Sequence, residues 1–163
     1  MKQAFLICLF SITAHFCFAQ SPYNEIALEQ KEDYKKAEKD ILKAAGYLFN
    51  SPYDKDDLER LYAIEFIMKW MSGTPDYKFE LNEKYSKPFS SETDLIGLYM
   101  AAMAKYAVEN REKKIDPDNI SLAAVKIILD YSNKPSNNLK QTGELKKMNA
   151  ALKKGELQKY FGS

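Results

Sequence analysis

The side chains in this chain that could do chemistry are mainly carboxylates. Its 163 residues include 23 Asp and Glu, two cysteines and one histidine. Two carboxylates suffice for glycoside hydrolysis when unlike surroundings keep one protonated as the acid and the other ionised. Glu65 and Asp94 are the candidates for such a pair, because each sits in a mostly apolar stretch. Each also has a simpler structural role. Glu65 stands four residues before Lys69, the spacing of an ion pair along a helix, and Asp94 follows Ser91 by three, as in a capping box with Asp replacing Glu. No residue is therefore assigned as catalytic.

Metal ligation meets a similar rival. Asp54-Lys55-Asp56-Asp57 and Asp116-Pro117-Asp118-Asn119 place oxygens two residues apart, as calcium loops do. Neither has the sixth-position glycine or the distal glutamate of an EF-hand, and both precede apolar runs where helix capping accounts for them. No metal and no cofactor is expected.

The thiols and the imidazole lie elsewhere. Met1-Lys2-Gln3 leads into an uncharged run from Ala4 to Phe18, followed by Ala19-Gln20-Ser21-Pro22 and then charged sequence. A basic start, a short apolar core and a small residue before the cut are the parts of a secretory signal peptide. The run falls short of the roughly 20 residues that span a bilayer as a helix, and no stop-transfer segment follows, which argues against a retained anchor. Phe16 stands where a lipoprotein anchored at Cys17 would need a small residue. Cleavage is expected after Ala19, giving a signal peptide over 1–19 and a single domain over 20–163. The protein would then be exported to a bacterial periplasm or the extracellular space, with no membrane span after cleavage.

Cys8, Cys17 and His15 all lie in that leader. A chain cut after Ala19 has no disulfide, no thiolate nucleophile, no Cys/His zinc site and no Ser-His-Asp triad. The whole chain carries 24 basic and 23 acidic residues, and losing Lys2 balances them. No basic excess points to nucleic acid or to an anionic membrane. Only Lys146-Lys147 with Lys153-Lys154 reads as locally basic.

The elements that must position these groups are helical. From Glu25 to Phe49, Tyr34, Ala37, Ile41, Ala44, Ala45 and Leu48 recur at the helical period, and Asn50-Ser51-Pro52 ends the run. Asp54 is the expected N-cap of a second helix. From Leu58 to Met71 that helix has almost no polar face, which predicts central burial with Trp70 in the core. Gly73 and Pro75 close it. Thr74 to Ser90 has no helical period, and Tyr77, Phe79 and Leu81 alternate with Lys78 and Glu80, so this stretch is expected to be extended. Ser91 opens a third helix, with Leu95, Leu98, Tyr99, Ala102, Met103 and Tyr106 inward. Asp116-Pro117 opens a fourth, and one or two more follow the turn-rich Asn133 to Asn138. The expected fold is all-α: one helical bundle, or a short solenoid of five to six helices, with one extended aromatic-rich connection.

That connection is the most suggestive feature for binding. Tyr77, Phe79, Tyr85 and Phe89 are its candidate contact residues, with Tyr53 and Trp70 nearby, because exposed aromatics together make recognition surfaces. The opposing expectation is that they pack the segment onto the helices it crosses. The run from Phe66 to Phe79, together with the Phe18-Ala19-Gln20 ending of the leader, resembles uncharacterised small secreted helical proteins of Bacteroidota-type bacteria. The resemblance implies a periplasmic or extracellular location and brings no activity and no site residues. The expected function is a non-catalytic exported domain that binds a protein or envelope component. The alternatives are a carboxylate-dependent glycan hydrolase using Glu65 and Asp94, and a small-ligand carrier with an apolar cavity lined by Met68, Met71, Met100 and Met103.

Overall fold

A computed structural model describes residues 21–90 and 93–162, and the regular structure among them is entirely helical. The leader, with Cys8, His15, Cys17 and the Ala19 cleavage position, lies outside the described residues, and so does Ser91. Helix α1 spans Lys31–Asn50, α2 Leu58–Gly73, α3 Glu83–Ser86, α4 Thr93–Glu109, α5 Pro117–Ser132, α6 Gly143–Lys153 and α7 Leu157–Gly162. Single 3₁₀ turns lie at Lys87–Phe89 and Pro135–Asn137.

Helix α1 begins at Lys31, later than the Glu25 expected from its apolar period. Asp33 accepts a hydrogen bond from the Gln30 backbone at 3.0 Å and so fixes that start. The residues ahead of it pack as a strap, with Leu28 buried and Tyr23 stacked on Phe66 at 4.7 Å between ring centres. Ala37, Ile41, Ala44, Ala45 and Leu48 form the inner face of α1, as their spacing predicts.

The N-cap of α2 is Asp57, not Asp54. Its carboxylate accepts from the backbones of Glu59 (2.9 Å) and Arg60 (3.4 Å), while Asp54 closes the preceding turn by accepting from Asp56 at 2.9 Å. Both are good caps by type, and the turn between Pro52 and Leu58 decides which one fits. Gly73 is the last residue of α2, helical and not a left-handed cap, and the chain turns extended at Thr74. A Cβ at 73 would stand 2.1 Å from Tyr34 Oη, so glycine is what admits the tyrosine ring. Trp70 is fully buried, and its indole Nε1 donates to the Tyr34 carbonyl at 2.8 Å.

Helix α4 is the centre of the fold and packs against α1, α2 and α5. Leu95, Leu98, Tyr99, Ala102 and Met103 are buried on it. Gly97 lets α2 approach closely, since a Cβ there would lie 2.9 Å from Ile64 Cγ2. Asp116 caps α5 by accepting from Asp118 N at 2.9 Å, with Pro117 in the first turn, as the sequence predicts. Helix α6 packs on α5 through Leu145 and Met148, and α7 follows after Gly155 in the left-handed region at φ 72°.

Two expectations need correction. The stretch from Thr74 to Leu81 is irregular and extended, but from Glu83 onward it coils into α3 and a 3₁₀ turn. Asn82 accepts from Lys84 N at 3.2 Å and starts that coil. Helix α2, apolar nearly all round, is also not enclosed, because its neighbours cover only part of its circumference.

Candidate functional site

The aromatic connection is held down by a buried carboxylate. Glu38 on α1, 6% exposed, accepts from Tyr77 Oη at 2.9 Å and from Arg111 Nη1 at 3.0 Å. Burial, and next the bond to Glu38, push the Tyr77 phenol well above its ordinary pKa. Trp70 lies 5.3 Å from Tyr77 and 6.0 Å from Phe79 between ring centres. Tyr77 and Phe79 are half-buried on this platform.

The other two candidate aromatics point inward, as the packing expectation has it and not as a recognition surface would need. Tyr85 is 4% exposed and packs on Phe161, and Phe89 is 0% exposed and stacks on Tyr99. The short helical turns rotate both rings into the core, which an extended backbone would not do. In this conformation neither ring offers a surface.

Leu81 of the connection is exposed, and the other exposed large apolar side chains gather on α2. Leu58, Leu61 and Met68 are 55%, 49% and 40% exposed and fall on one helical face, with Ile64 half-buried beside them. A cleft of about 270 Å³ runs alongside, walled by Leu58, Leu61, Ile64, Leu98 and Tyr53. Asp54, Asp56 and Asp94 line it as well, with Lys55 and Arg60 as the cations. Tyr53 Oη donates to Asp94 and holds that carboxylate at the cleft edge.

Arg60 organises this end of the molecule. It is buried, and its Nη1 donates to the carbonyls of Leu48 (3.1 Å) and Pro52 (3.4 Å) and to Ser51 Oγ (3.3 Å). No basic residue stands in the last turn of α1, so Arg60 supplies the cation that its C-terminal carbonyls favour. The Tyr53 ring lies 5.4 Å from the guanidinium carbon.

Glu65 opens elsewhere, into a cleft of about 170 Å³ between the strap and α2, beside Tyr23, Tyr62 and Lys69. The two carboxylates weighed as a hydrolytic pair therefore line different clefts. Of the four methionines proposed for a carrier cavity, Met103 is fully buried, Met68 faces outward, and none lines the clefts described here.

A further cleft, of about 350 Å³, lies between the connection and the turn joining α4 to α5. Tyr77, Ala107, Ile115, Pro117 and Ile120 make its apolar floor, and Lys78, Arg111, Lys113 and Lys114 stand at its rim with Asp76. The run Arg111 to Ile115 is visible in the sequence as a polar connection, but the approach of Lys78 from a different connection is not. The open face of α2 is not visible in the sequence either, because all-round apolarity reads as burial and the exposure of Leu58 depends on what packs around it. Compared with known protein families, curated proteins and solved structures, the chain matches none.

Proposed function

We propose that the protein is an exported, non-catalytic helical domain that binds a protein or other envelope component through the outer face of α2. The observation that carries this reading is the alignment of exposed Leu58, Leu61 and Met68 on one helix beside an apolar cleft. Scattered single apolar residues on a surface need no explanation, whereas aligned ones flanking a groove mark interaction sites. The best fit is a helix of a protein partner that inserts an apolar stripe and carries Lys or Arg beside it, since Asp54, Asp56 and Asp94 line the groove and Glu65 interrupts the stripe. The leader of the sequence supports export, and with it a partner in the envelope.

The exposed positions allow a clean test. Leu58→Glu with Leu61→Glu should leave the thermal midpoint nearly unchanged, each within about 0.5 kcal/mol of wild type, because neither side chain is in the core. The same pair should abolish recovery of the partner that the unmodified protein retains from its host's envelope fraction. Equal recovery by both proteins would remove α2 as the binding face.

A further inference from the structure

The chain is balanced in charge overall, but the turn between α4 and α5 is not. Two clefts, of about 350 and 300 Å³, flank Lys113, Lys114 and Ile115, which line both. Lys78 and Arg111 add to the first and Lys126 to the second, while Asp76 is the only acid in either lining. Arg111 is engaged with buried Glu38 and with Glu112. Lys113 Nζ donates to Asn110 Oδ1 at 2.8 Å. Among the described residues Lys78, Lys114 and Lys126 make no ion pair; Lys78 and Lys114 line the first cleft, opposed there by Asp76, and Lys114 and Lys126 line the second.

The floor between them is apolar, made by Tyr77, Ala107, Ile115, Pro117 and Ile120. An inorganic anion would gain the cations and waste the floor, and a neutral apolar molecule the reverse. A volume of about 350 Å³ falls at the small end of the range of roughly 300 to 1,000 Å³ typical of small-molecule sites. Low-dielectric walls beside the lysines strengthen their attraction for one anionic head. Asp76 on the same rim opposes a broad anionic surface such as a membrane, but leaves room for a single head group. We propose that this cleft binds a small monomeric amphiphile with one carboxylate or phosphate head between Lys78 and Lys114 and a short apolar body on Tyr77, Ile115 and Ile120.

Trp70 provides the readout. It is the only tryptophan in the chain, and its ring lies 5.3 Å from Tyr77, which walls the cleft. Decyl phosphate, titrated below the concentration at which it self-associates, should change Trp70 emission saturably with one-to-one stoichiometry. Inorganic phosphate and decyltrimethylammonium should each bind at least about tenfold more weakly, and Lys78→Ser with Lys114→Ser should weaken decyl phosphate by about tenfold at an unchanged thermal midpoint. Equal binding of the cationic amphiphile, equal binding of inorganic phosphate, an unaffected double variant, or response to phosphatidylglycerol vesicles alone would each overturn the proposal. None of these results bears on the α2 face, which these substitutions leave intact.

Discussion

Replacing Trp70 by alanine is expected to lower the free energy of unfolding by about 3 to 5 kcal/mol, the range for truncating a buried large aromatic. The indole is fully enclosed, and it donates its N–H to the Tyr34 carbonyl on α1, a bond that alanine cannot make. The change also removes the platform under Tyr77 and Phe79, so the connection loses contacts with the helices beneath it. Total stability for a domain of this kind is of the order of 5 to 15 kcal/mol, so one substitution removes a large share of it. A urea titration measures the loss. Met68→Ala, on the exposed face of the same helix, is the control and should shift the midpoint little. A midpoint that moved equally for both would contradict the inward placement of Trp70.

The second large effect is alkaline. Tyr99 is fully buried, and burial pushes its phenol up to about 12. Tyr47 is pushed to about 12 mainly by its hydrogen bond to Asp57, and Tyr160 to about 12 by burial and by its bond to Glu144. Unfolded tyrosines ionise near pH 10, roughly two units lower. The folded state thus keeps protons that the unfolded state releases. The associated stability is fully present below about pH 10 and is lost as pH rises through about 12. For the enclosed Tyr99 this is on the order of 2 to 3 kcal/mol, while half-buried Tyr47 and Tyr160 contribute less because solvent screens them. Among the described residues Tyr99 Oη has the Ser121 hydroxyl beside it but no well-formed hydrogen bond, so Tyr99→Phe should change stability little near pH 7. The variant should also flatten the fall in unfolding free energy between about pH 10 and 12. An unaltered alkaline slope in Tyr99→Phe would show that this phenol ionises as freely in the folded protein as in the unfolded one.

Much of the fold can be read from local chemistry. Asn50-Ser51-Pro52 ends α1 and Asp116-Pro117 starts α5 where the sequence places them, because proline and a capping carboxylate act on their own immediate backbone. Trp70 falls in the core, as its apolar helix predicts, because it lies on the side of α2 that meets α1, where its indole donates to the Tyr34 carbonyl. The misses arise where the deciding partner is distant in sequence. Asp54 and Asp57 are equivalent as caps until the preceding turn selects one. Tyr85 and Phe89 lie in a segment without helical period, yet two short turns bring them against Phe161 and Tyr99. The all-round apolarity of α2 predicts burial on every side, but α1 and α4 cover only part of it and leave Leu58 and Leu61 in solvent. The cationic cleft is assembled from two connections more than thirty residues apart, so no local run announces it.

The claim that α2 presents the binding face is tested most directly by site-specific photocrosslinking in the native host. A photoreactive residue in place of Leu61 should yield one discrete adduct whose chain begins at Gln20, and the same residue in place of exposed Ser136, in the turn between α5 and α6, should not yield it. Identical adducts from both positions, or none from position 61, would contradict a partner seated on α2, and an adduct that still begins at Met1 would contradict export with cleavage.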